Sequence, residues 1–133
     1  MNAPANLRFT VDHMWVRWQG VGLCVGITEF AQQALGDVVF ADVPRVGMAV
    51  ETGTAFSWLE SGKAVVDLHP PVNGTIVGSN SLLSEKPELI NRDPYGGGWI
   101  CVIEPHAPAD VDRLLDAEAY RVLVEQMAPG PKS

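Results

Sequence analysis

Up to Pro108, glycine and proline interrupt this chain so often that the spacing suggests short strands joined by turns. There are 13 glycines and 10 prolines in 133 residues. They fall about every 8 to 12 residues between apolar runs, the spacing of short strands joined by turns. Arg8–Val11 and Met14–Trp18 read as a first strand pair or one bent strand. Gln19-Gly20-Val21-Gly22 turns the chain into a strand over Leu23–Ile27.

The period then changes. Thr28 is an N-cap candidate, and Glu29 places a negative charge in the first helical turn. Phe30, Ala31, Ala34 and Leu35 follow at helical spacing, and Gly36 closes this short helix in the left-handed region. Asp37–Val43 is strand again, with Val39, Ala41 and Val43 sharing a face against Asp42. After turns at Pro44–Gly47 and Thr52-Gly53, strands are expected over Thr54–Leu59 and Ala64–Leu68. Asn73-Gly74 opens a further strand. Ser79–Asn91 is polar and irregular with a helical turn near Ser81–Leu83. Asp93–Gly98 is a loop, and Trp99–Glu104 is a last strand. Asp110–Gln126 has apolar residues at three- and four-residue spacing, so one or two amphipathic helices are expected, broken near Asp116 and Glu118. The fold class is mainly β, a small sandwich or barrel of one domain over 1–133. Its core spans about 8–125, with flexible tails at 1–7 and 127–133.

Charge narrows the partners. Nine Lys and Arg face 16 Asp and Glu, a net charge of −7. Nucleic acid and anionic membrane surfaces both need a basic footprint that this chain lacks. No apolar run is long enough to span a bilayer, and Met1–Leu7 has no secretory character. Cys24 and Cys101 each sit in an apolar strand, as reduced core thiols do. A cytoplasmic setting is the simplest fit.

Catalytic patterns are missing from the sequence. His13, His69 and His106 are scattered without metal-ligand spacing. Gly96-Gly97-Gly98 precedes a strand and lacks the helix of a phosphate loop. No nucleophile and base stand at a telling spacing. One position does stand out. Lys63 follows Glu60-Ser61-Gly62 between two apolar strands, in a segment the length of a hairpin loop. Such a lysine suits presentation to another protein's active site, and equally suits a merely solubilising turn. The chain has only two other lysines, Lys86 and Lys132.

Glu60-Ser61-Gly62-Lys63-Ala64 resembles the lipoyl-attachment turn of the glycine cleavage system H-protein family, where the motif usually reads Glu-Ser-Val-Lys-Ala. The likeness extends to His13-Met14-Trp15-Val16, to Val25–Val39, to Asp67–Gly74 and to Pro87–Ile100. It covers about residues 8–125 in register. The resemblance implies a hammerhead-like barrel-sandwich hybrid of two small antiparallel sheets, as in the biotinyl/lipoyl superfamily, with a short internal helix and C-terminal helices. It implies lipoic acid in amide linkage on Lys63, with Glu60, Ser61, Gly62 and Ala64 forming the attachment turn. It also implies a carrier without catalysis of its own. A lipoate ligase or lipoyl transferase would load it. A pyridoxal-phosphate glycine decarboxylase, an aminomethyltransferase and a dihydrolipoyl dehydrogenase would then use it in turn.

Some residues depart from the family pattern. Met14 stands at a usually acidic position. Gly62 replaces valine and is expected to loosen the turn or adopt φ > 0. Val66 stands where small or polar residues are common. Ser84-Glu85-Lys86 and Arg92 alter the charge of a loop near the arm. Such changes redirect partner choice. The alternative partner set is a heterodisulfide-reductase-like sulfur oxidation complex, served by related H-like lipoate-binding proteins. A further alternative is an unmodified scaffold acting through surface contacts alone.

Overall fold

The computed structural model describes residues 6–127. Nine strands form two antiparallel sheets. β1 (Arg8–Phe9), β2 (Met14–Gln19), β3 (Gly22–Ile27), β9 (Cys101–Pro105), β8 (Gly74–Ser79) and β5 (Ala49–Val50) make the larger sheet in that order. β4 (Val38–Ala41), β6 (Ser57–Ser61) and β7 (Val65–Leu68) make the smaller one. Helix α1 (Glu29–Leu35) links β3 to β4. A 3-10 turn at Ser81–Ser84 and the short α2 (Leu89–Arg92) precede β9. A second 3-10 helix, Pro108–Arg113, leads to α3 (Ala117–Met127). The expected fold class is the one observed.

Two cores explain why β3 does not alternate. Its six residues are all buried, because both faces of the larger sheet are covered. Leu23, Val25 and Ile27 point into the main core with Met14, Val16, Leu59, Ile76 and Ile103. Cys24 points into a second core with Leu7, Phe9, Trp15 and Tyr120. Trp15 pairs with Gly26 across β2 and β3. A side chain at Gly26 would lie 2.6 Å from the indole, so glycine there makes room for the ring. Trp15 Nε1 then donates to Pro94 O at 2.9 Å, satisfying its one polar group. Met14 is fully buried, so the usually acidic position has become a core position here.

Cys24 and Cys101 are free and buried on neighbouring strands. Cys101 is paired with Val25, so the two-residue strand period turns the thiols to opposite faces. Leu7 is also buried, so the core reaches one residue before the expected Arg8. Residues 1–5 and 128–133, most of both expected tails, lie outside the described residues, as does Lys132.

Two expectations need correction. Gly36 has positive φ, but at φ +89°, ψ −168° it lies in the extended glycine-only region and not in the left-handed helical one. The chain is thereby sent straight into β4. Val39 does not share a buried face with Ala41. The β4–β6 pairing slips between Val38 and Phe40, leaving Val39 and Phe40 both exposed. A bulge of this kind defeats alternation, because two residues on one strand oppose one on the other.

The C-terminal helices form as expected, and Asp116 is the reason for the break. Its Oδ1 accepts from Ala119 N–H at 2.8 Å, capping the new helix. Tyr120 stacks on Phe9 with ring centroids 4.5 Å apart. Its hydroxyl meets Thr28 Oγ1 at 2.7 Å and His13 Nδ1 at 2.9 Å. Thr28 Oγ1 also accepts from Ala31 N–H at 3.2 Å, capping α1. One tyrosine thus ties the last helix to the start of the first.

Candidate functional site

Lys63 lies at the tip of the β6–β7 hairpin. The hairpin is in register down to its end, with Ser57 opposite Leu68 and Glu60 opposite Val65. β6 runs two residues further than expected, to Ser61, and Ser61 N–H donates to Ala64 O at 2.8 Å. The loop proper is therefore Gly62-Lys63, shorter than the expected Glu60–Lys63.

The favoured two-residue hairpin turns require positive φ. Gly62 is not in that range, and a side chain built on it meets nothing within 4 Å. Of the two expected effects of Gly62, a loosened turn or φ > 0, the second does not occur, and the space around it admits a β-carbon. Ser61 supplies the closure that a primed turn would otherwise give. It is buried, and its hydroxyl oxygen accepts from Lys63 N–H and Ala64 N–H, both at 3.2 Å. A serine hydroxyl bonding its own downstream backbone is a known turn former. Gly62, Lys63 and Ala64 are all exposed.

Around the turn the smaller sheet shows an apolar outer face. Phe40, Glu60 and Val65 form one cross-strand row. Trp58 lies beside Phe40, ring centroids 5.9 Å apart, and faces Asp67 across the hairpin. Glu60 and Asp67 are exposed, so carboxylates stand among exposed aromatic and aliphatic side chains. Val66, at a position where small or polar residues are common, is 39% exposed.

The corner behind the turn depends on a residue to which the sequence assigns no role. Asn91 donates from Nδ2 to Gly36 O at 2.9 Å and to Gln32 Oε1 at 2.8 Å, while its Oδ1 accepts from Val38 N–H at 2.8 Å. Val38 in turn pairs with Ser61. Locally, Asn91 is only a polar residue in an irregular stretch, and no local signal marks it. Arg92, one residue on, is exposed, as are Ser84, Glu85 and Lys86.

The histidines stay apart. His13 is built into the Tyr120 network, and burial lowers its pKa more than Asp12 raises it. His106 meets Thr75 at 3.4 Å. His69 lines a groove of about 440 Å³ with Asp12 and Arg113, the length of β7 away from the lysine. Among the described residues, no three His, Cys, Asp or Glu side chains gather as a metal site.

Comparison with known proteins agrees with this geometry. A family model described as glycine cleavage H-protein matches residues 7–127. The glycine cleavage system H protein of Bacteroides fragilis is 47% identical over 124 residues, covering 93% of this chain and 98% of the relative. That of Anaeromyxobacter sp. strain K is 48% identical over 126 residues, covering 95% and 98%. The crystal structure of a glycine cleavage system H protein from Mycobacterium marinum superposes with a TM-score of 0.81 at 37% identity, over 93% of this chain and 98% of that one. These relatives lend no support to the sulfur-oxidation alternative. A match that spans nearly all of the described residues, with relatives close to half identical, places the chain in the glycine cleavage H-protein family.

Proposed function

We propose that this chain is the lipoyl carrier of a glycine cleavage system and that lipoic acid is joined by an amide to Lys63. The supporting observation is the placement of that lysine. It projects from a two-residue loop whose backbone is held by Ser61 and by paired strands on both sides. Nothing in Gly62-Lys63-Ala64 is buried, so a ligase or transferase can reach the amine. When attached, lipoic acid supplies a dithiolane on a flexible arm, able to carry an aminomethyl group and to be reoxidised.

The chain's own residues hold and present this group. Ser61 fixes the attachment point, so the arm swings from a steady base. Tethering keeps the reactive end at high local concentration for each enzyme that docks. The chain also keeps its own sulfur out of the chemistry. Cys24 and Cys101 are buried, and burial pushes both thiols upward in pKa, away from the thiolate that would exchange with a dithiol. We assign the chain no catalytic step. Its partners would be the loading enzyme, glycine decarboxylase, aminomethyltransferase and dihydrolipoyl dehydrogenase. Its setting would be the cytoplasm, in keeping with two unpaired thiols.

Intact-mass measurement after expression in a lipoylating host tests the attachment. The parent protein should gain one lipoyl group and Lys63→Ala none. A mass gain that survives in Lys63→Ala would refute the assignment. An unmodified parent that keeps function in Lys63→Arg would instead establish the scaffold reading. The loaded protein, given glycine decarboxylase, glycine and labelled bicarbonate, should support exchange of label into glycine.

A further inference from the structure

The extended glycine-only conformation of Gly36 has a neighbour that explains it. A methyl group on Gly36 would lie 3.2 Å from Lys63 Cε, 3.8 Å from Nζ and 3.9 Å from Cδ. The end of the lysine stem therefore rests on the bare face of Gly36. That face is held still. Gly36 N–H donates to Gln32 O at 3.0 Å, and its carbonyl accepts from Asn91. Asn91 also bonds Val38 N–H, and Val38 pairs with Ser61. Lys63 is thus held twice, by Ser61 at its amide and by Gly36 at its stem.

The site is the C-terminal end of α1, where the helix dipole favours a cation. A free lysine stem samples many rotamers, and a seat that removes some of them lowers the ordering cost when an enzyme engages it. We propose that Gly36, held by Asn91, is a positioning residue for Lys63, seating its stem over the α1–β4 corner and setting the direction in which an attached arm leaves the hairpin. The proposal rests on Lys63 being the attachment point, but the contact belongs to the unmodified side chain and can be measured separately.

Protein expressed without lipoate and labelled with 13C-lysine gives methylene signals from only three lysines. The parent should show a cross-peak between Lys63 Hε and Gly36 Hα, and slower Cε–Hε motion at Lys63 than at exposed Lys86. Asn91→Ala and Gly36→Ala should each erase the cross-peak and bring Lys63 to the mobility of Lys86. With an added lipoate ligase, Asn91→Ala should raise KM several-fold with kcat unchanged, a split that general destabilisation would not produce. Should either variant fail to fold, the parent spectrum still decides. No cross-peak, with Lys63 as mobile as Lys86, would overturn the seat while leaving the mass gain intact. A cross-peak without any lipoyl mass gain would overturn the attachment reading, and this proposal with it.

Discussion

Replacing Gly62 by alanine should stabilise the protein, and the sign of the effect tests the reading of the whole turn. Gly62 lies outside the positive-φ range, and a Cβ there meets nothing within 4 Å. The substitution adds neither strain nor contact to the folded state. What remains is the lower entropy of the unfolded chain, worth about 0.4–1 kcal/mol. For a domain of this length, that is a rise of roughly 1.5–3.5 °C in Tm. Two other glycines calibrate the result. Gly53 is equally open but sits at φ +87°, so alanine there should cost about 1 kcal/mol. A Cβ on Gly74 would lie 2.4 Å from the Glu104 carbonyl oxygen. Backbone cannot yield as a side-chain tip can, so Gly74→Ala should lose at least about 1–3 kcal/mol. Urea unfolding followed by tryptophan fluorescence, with calorimetry, would measure all three. Loss of 1 kcal/mol or more in Gly62→Ala would mean that the lysine turn uses a left-handed residue, and the role given to Ser61 would fall with it.

Three further outcomes follow from the packing. Tyr120→Phe removes one hydroxyl that serves both Thr28 and His13. It should cost about 1–2 kcal/mol and speed amide exchange along α3, while unchanged exchange would show that α3 is held by apolar contact alone. The pKa of His13 is lowered by burial below its usual 6.5, so the unfolded chain takes up that proton first. Its contribution to stability is full above pH 6.5 and is lost as pH falls through the folded-state value. The urea midpoint should drop on acidification below pH 6.5, and His13→Asn should flatten that slope. Neither buried thiol should react with a disulfide reagent faster than the protein opens. Labelling of native protein within seconds would contradict their burial.

Local chemistry made much of this molecule readable before any contact was known. Thr28 reads as a cap because a hydroxyl before a helix has a predictable partner three residues on, and Ala31 N–H is that partner. The β6–β7 hairpin reads from two apolar runs and a short polar gap, with Lys63 in that gap. Angle and face are less legible. The exposure of Val39 leaves no local trace because a bulge depends on how β4 meets β6. Gly36 and Gly62 both read as candidates for positive φ, since a glycine states freedom and not the angle taken.

The sequence by itself determined the strand-and-turn pattern, the buried thiols and the exposed lysine. Each of these follows from interactions within a few residues, or from the bare count of apolar and charged groups. Only the tertiary structure decided which faces β3 buries, that Met14 belongs to the core, and that Asn91 holds the corner beneath Lys63. Asn91 and its partners are separated by 53 to 59 residues. Hydrogen bonds over such spans leave no periodic trace along the chain, because they exist only once the sheets have brought α1, β4 and α2 together.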